Sequence, residues 1–198
     1  MGSVKRAAQK KGLKVRRRTK RVSLHLRRRP LEAVNILKPS DLPVFLDLFS
    51  GKGGLARAIA DWGGCALQWD IKHGEEYDLT SNENVEKICH WIRSKKVWGI
   101  HIAMLCKSWS RARRGGLAPP LRSDDRPWGL PFLNPVDRAK VVMGNHLLKN
   151  SLQIMRVAST KGLPGGFENP QTSRCFQVRT MKSFSATVQS TWFDMLAS

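Results

Sequence analysis

The first 29 residues contain no acid, yet they hold 13 of the 35 lysines and arginines in the chain. Like-charge runs such as Lys14-Val15-Arg16-Arg17-Arg18-Thr19-Lys20-Arg21 and Arg27-Arg28-Arg29 repel themselves and should stay disordered alone, so a basic disordered tail and linker is expected over residues 1–38. The remaining 22 basic residues face 15 acids, so the net charge of +20 divides between a strongly basic tail and a moderately basic domain. A polyanion partner, DNA or RNA, or a nuclear-import role suits such a tail. No apolar run reaches the ~20 residues of a membrane span, and no apolar h-region follows the N-terminal charges. An intracellular protein, nuclear or cytoplasmic, without membrane contact is expected. Cys65, Cys89, Cys106 and Cys175 form no C-x-x-C pair, which argues against a disulfide framework and a structural metal site. Internal repeats are also absent.

What is present is an alternation of short apolar runs with helical periodicities. Apolar residues make up 41% of 198 residues, enough for one domain with a core. Residues 44–49 read as a strand. A glycine turn follows, then a helix with Leu55, Ala56, Ala58, Ile59, Ala60 and Trp62 on its apolar face, stopped by Gly63-Gly64. Residues 65–70 read as a second strand, and Tyr77-Asp78-Leu79 as a very short third. Val85, Ile88, Cys89 and Ile92 recur at i, i+3, i+4 and i+7, so a helix capped by Thr80 or Ser81 is expected there. A strand at 97–105, apolar except for His101, leads into a long loop over 106–135. A helix over 137–159 and a strand ending near Phe167 complete the pattern. The last residues, 176–198, are polar and weakly patterned. The expected fold is α/β: an open, mostly parallel Rossmann-like sheet with helices on both faces and a domain over 39–175.

Such sheets bind ligands outside the carboxyl ends of their strands. Asp47 to Gly54, Asp70, Asp78, Cys106 and Glu168 all fall at those ends. The loop Ser50-Gly51-Lys52-Gly53-Gly54 lacks the Gly-Lys-Ser/Thr of a Walker A motif. Its glycines let a ligand approach the backbone, and Asp70 stands about 20 residues on, where an acid meets ribose hydroxyls. Cys106 enters a loop with Lys107, Arg111, Arg113 and Arg114, and positive surroundings favour thiolate, the alternative being a small buried hydrophobe. Arg side chains and Trp109 in that loop suit phosphate contacts and base stacking, the alternative being a solvated loop with Trp109 tucked into the core. His101 reads as a strand residue satisfied locally, Gly144-Asn145 as part of a helix, and Cys65 and Cys89 as core.

Phe45-Leu46-Asp47-Leu48-Phe49-Ser50-Gly51-Lys52-Gly53-Gly54 resembles the cofactor motif of C5-cytosine DNA methyltransferases. Cys106-Lys107-Ser108-Trp109-Ser110-Arg111 resembles their nucleophile loop, and Phe167-Glu168-Asn169-Pro170 is similar to their Glu-Asn-Val motif. The three stand in the family's order across residues 44–170. With Pro120-Leu121-Arg122-Ser123, the series is most similar to divergent methyltransferase-like domains of protist mobile elements. The resemblance implies S-adenosyl-L-methionine (AdoMet) as cofactor, held by Asp47, Phe49, Ser50, Gly51, Gly53, Gly54, Leu55, Asp70, Ile71, Asp78 and Leu79. It implies Cys106 as the nucleophile at C6 of cytosine and Glu168 at N3 of the base, with the base flipped from its duplex. It further implies nucleic-acid contacts from Lys107, Ser108, Trp109, Ser110, Arg111, Arg113, Arg114 and Asn169.

Two departures from the family are legible. Leu105 stands where a proline normally stiffens the nucleophile loop. The family's later strands, target-recognition region and closing motif do not follow before Ser198, so a C-terminally truncated product is expected. The alternative expectation is a non-catalytic nucleic-acid-binding remnant. An adenine or RNA methyltransferase is disfavoured, because no Asn/Asp-Pro-Pro-aromatic signature follows the strand at 97–105.

Overall fold

A computed structural model describes residues 42–111 and 119–188. All of them lie in the unit Asn35–Ser198. The basic tail, Arg113, Arg114 and the last ten residues lie outside the described residues.

The element order is β1 (Val44–Leu48), α1 (Gly54–Asp61), β2 (Ala66–Trp69), α2 (Asn82–Arg93), β3 (Val97–Ile102), α3 (Pro135–Thr160), β4 (Gly165–Phe167) and α4 (Arg179–Thr187). The four strands form one parallel sheet in the order β2-β1-β3-β4. The fold is therefore α/β with an open, all-parallel sheet. The chain steps from β1 to β2 in one direction, then back across β1 to β3 and on to β4. Right-handed crossovers put α1 on one face of the sheet and α2 and α3 on the other. Consistent with that, α2 and α3 pack on each other.

In-register partners in a sheet share a face, which separates two chemistries. Leu46 and Leu48 pair with Leu67 and Trp69 on one side and with Ile100 and Ile102 on the other. This face meets Val85, Ile88, Cys89 and Ile92 of α2 and Leu147, Leu148, Leu152 and Ile154 of α3 in the main core. On the opposite face Gln68, Asp47, His101 and Gly166 form one row across all four strands. That is the face of α1, because the Ala56 amide donates to Asp47 Oδ2.

The helix boundaries have local causes. Gly53 precedes α1 without a side-chain cap, so the Asp47 carboxylate serves one of the orphan amides of its first turn. Ser81 caps α2 by accepting from the Asn84 amide. Asn134 accepts from the Asp137 amide and Pro135 begins α3, a position where its missing N–H costs nothing.

Two expectations are corrected here. Residues 77–79 form no strand; Glu75–Tyr77 is a 3-10 turn closed by Tyr77 N donating to Gly74 O and Asp78 N to Glu75 O. Within residues 176–188, expected to be weakly patterned, α4 forms and buries Met181 and Phe184 against the core.

Candidate functional site

The loop after β1 is a run of left-handed conformations: Phe49 (φ 57°), Gly51 (φ 54°) and Gly53 (φ 66°). Phe49 is costly there, because its side chain crowds the backbone. It is held by its amide donating to Trp69 O at 2.7 Å. A Cβ on Gly53 would run into the Gln68 carboxamide, whereas Gly51 and Gly54 have open space above them. The Ser50 hydroxyl is buried without a partner. Asp70 Oδ2 accepts from the Gly51 amide at 2.9 Å and Oδ1 from the Lys72 amide at 3.0 Å. Asp70 thus ties the glycine loop to the end of β2, and its remaining lone pairs are the ones open to a ligand. Asp78 holds Thr80 through both its amide and its hydroxyl. Ile71 is exposed and Leu55 partly so, but Leu79 is buried in the core.

Asp47 departs from its expected role. It is 2% exposed, and its two oxygens are engaged inside the protein. Oδ2 accepts from Ala56 N at 3.3 Å, and Oδ1 lies 3.2 Å from His101 Nδ1. It holds α1 and an imidazole rather than the amino-acid end of a cofactor. His101 in turn brings Nε2 to 3.5 Å from Glu168 Oε2. Three residues from three adjacent elements therefore form a line at the carboxyl ends of β1, β3 and β4. His101 is the residue that sequence reasoning missed, because its partners lie far along the chain rather than nearby. The available signal was a single polar residue in an apolar strand, on the same alternating face as Asp47.

The Cys106 segment is anchored at both ends. Cys106 is half-buried and opens a turn in which its carbonyl accepts from the amides of Trp109 and Ser110. Asn169 Nδ2 donates to Met104 O at 2.9 Å and Glu168 N to Ile102 O at 2.8 Å, so the Glu168-Asn169 segment is stitched to the start of this loop. Ser108 and Trp109 are corrected: both are buried, Trp109 completely, so neither offers a surface to a base or a phosphate. The Trp109 ring carries the Arg122 guanidinium at 3.4 Å from its centroid, and its Nε1 donates to Gly144 O. Arg122 itself is 1% exposed. It donates to Ser108 O, Ser108 Oγ, Pro127 O, Asn145 Oδ1 and Val141 O. Burial pushes the guanidinium down to about 10. A Cβ on Gly144 would collide with Ser108 Oγ and come within 3.1 Å of Trp109 Nε1. Gly144 is therefore what lets the loop lie on α3. Arg111 pairs with Asp124 at 2.7 Å and donates to Thr172 O, so part of its charge is used in holding the loop. Lys107 is exposed and Ser110 half-buried.

An apolar groove of about 730 Å³, lined by Leu133, Ala139, Val142 and Met143 among others, contains none of the residues expected to act. Among the described residues no helix is long and apolar enough to cross a membrane, and no group of three or more His, Cys, Asp or Glu is arranged to hold a metal ion. Compared with known protein families, curated proteins and solved structures, the chain shows no match to any of them.

Proposed function

We propose that this domain is an AdoMet-dependent, C5-cytosine methyltransferase-like unit acting on DNA. One observation carries the reading: the glycine loop, the Cys106 turn and the Glu168-Asn169 segment leave the carboxyl ends of three adjacent parallel strands. They do so around the β1/β3 position where the strand order reverses, which is where open sheets of this kind bind ligands.

The loop residues fit the cofactor. The unpartnered Ser50 hydroxyl and the open space above Gly51 and Gly54 leave a donor and a bare backbone for its amino-acid end. Asp70 would take the ribose. When bound, AdoMet supplies an electrophilic methyl group. The chain's own part is to make C5 of the ring nucleophilic. Cys106 Sγ would bond to C6, and the C5–C6 π pair would become available at C5. Glu168 would hold N3 and share a proton with it, drawing charge out of the ring. Loss of the C5 proton and departure of the thiolate would then restore the aromatic ring and free the enzyme.

A second reading, a non-catalytic nucleic-acid-binding remnant, is favoured by Leu105 in place of proline and by the 13 lysines and arginines of residues 1–29. Labelled AdoMet with cytosine-containing DNA separates the two. Transfer by the full chain that is lost in Cys106→Ala supports the enzyme. DNA binding without transfer overturns it and leaves the remnant.

A further inference from the structure

The line from Asp47 through His101 to Glu168 crosses three adjacent strands, and its geometry has a direction. Asp47 and His101 are register partners on neighbouring strands, as are His101 and Gly166. The ring lies over Gly166, where a Cβ would stand 3.0 Å from His101 Cδ2. Glycine at 166 therefore gives the imidazole room to reach toward Glu168, two residues further on. At the other end Asp47 is buried and already serves α1 through Oδ2, leaving Oδ1 for Nδ1. An ionised carboxylate only accepts hydrogen bonds, so Nδ1 carries the proton. The exchangeable position is then Nε2, 3.5 Å from Glu168 Oε2. The His101 side chain is 22% exposed and that of Glu168 46%, so the line runs from the interior to the surface.

We propose that His101 is a positioning residue and proton store for Glu168, oriented by Asp47. The inference rests on the reading of Glu168 as the group that meets the base. The imidazolium gives its Nε2 proton to the Glu168 carboxylate, and Glu168 passes a proton on to the ring nitrogen. Glu168 ends as it began, His101 becomes neutral, and the ring nitrogen gains one proton. When the ring nitrogen gives its proton back, the same transfers run in reverse and recharge His101. Asp47 stays ionised throughout and stabilises the imidazolium, as the buried acid does in hydrolase triads. Without the store, Glu168 must exchange its proton with solvent while a base covers it.

Two measurements on the full chain test this. In nitrogen-15 NMR of the imidazoles, His101 should show a protonated Nδ1. Glu168→Gln should shift the Nε2 resonance, and Asp47→Asn should abolish the Nδ1 preference. A His101 spectrum unchanged by Glu168→Gln overturns the coupling, whether or not the protein transfers methyl groups. In single-turnover transfer, His101→Ala should slow the step about 100-fold, leave AdoMet and DNA affinities within a factor of about three, and recover in part on addition of free imidazole. An unchanged rate overturns the proposal, as does a loss of rate and affinity together without imidazole rescue. Failure of the wild-type chain to transfer overturns the methyltransferase reading instead, and the spectra still decide the relay.

Discussion

Arg122→Met removes the hub that fixes the Cys106 loop, and its cost follows from the structure. Of the four acceptors of Arg122 outside the helical backbone, the Ser108 hydroxyl can turn to another partner, so the substitution strands three: Ser108 O, Pro127 O and Asn145 Oδ1. At about 2 kcal/mol for each buried acceptor left without a donor, the gross loss is about 6 kcal/mol. Holding a cation in the interior opposes this. Burial lowers the guanidinium from 12.5 to about 10, and at about 1.4 kcal/mol per pH unit its removal returns roughly 3 kcal/mol. The net destabilisation is therefore about 3 kcal/mol, a large share of the roughly 5–15 kcal/mol that holds a domain together. With a urea slope of about 2 kcal/mol/M, the unfolding midpoint should fall by about 1.5 M. Because Ser108 sits two residues past Cys106, the Cys106 thiol should also react faster with a maleimide well below that midpoint. A midpoint shift under about 0.3 M would refute the reasoning. It would mean that the stranded carbonyls find water, or that the hub forms no tighter than a surface contact.

Burial raises the Cys175 thiol from 9.0 to about 11, more than its hydrogen bond with Ser173 lowers it. The stability it contributes is complete below pH 9 and is lost as pH rises to about 11, since the unfolded chain ionises first. Wild type should lose about 2–3 kcal/mol more than Cys175→Ala across that interval in parallel denaturation curves; equal slopes would exclude it. Gly53→Ala should cost about 1–2 kcal/mol from its left-handed φ alone. Truncating Gln68 as well should not restore it, and AdoMet binding by calorimetry should weaken in both variants. Deleting residues 1–29 should flatten the salt dependence of DNA affinity, each lost phosphate contact lowering the log–log slope by about 0.9. An unchanged slope in anisotropy titrations would place the DNA contacts elsewhere.

The regular elements were legible because their signals are local. The spacing of Val85, Ile88, Cys89 and Ile92 needs no knowledge of the partner it faces. Where burial arose from distant residues, the same signals misled. Tyr77 and Leu79 are both buried with Asp78 between them, an alternation that imitates a strand, yet turn hydrogen bonds from Gly74 and Glu75 set the backbone. Trp109 lies in a loop rich in arginine, and only the approach of α3 at Gly144, 35 residues on, makes it a core residue. α4 buries Met181 and Phe184 within a largely polar nine-residue helix, too few apolar positions for a periodicity to stand out. The glycine loop after β1 was readable as a motif. The chemistry behind it was not, because Asp47 and His101 lie 54 residues apart and meet only once β1 and β3 pair.

Asp47 has a further consequence during synthesis. β1 is the first strand of the sheet to leave the ribosome, yet it ends as an inner strand between β2 and β3. Roughly 50 residues separate it from β3, so at about 5–20 residues per second its open edge waits some 3–10 seconds for its second partner. Through that interval Val44–Leu48 is an apolar segment of high strand propensity, the kind that pairs with other chains. A carboxylate near its carboxyl end works against such pairing, as gatekeeper charges do beside other exposed strands. The same group that later anchors α1 and orients His101 thus shields the nascent chain until those partners exist.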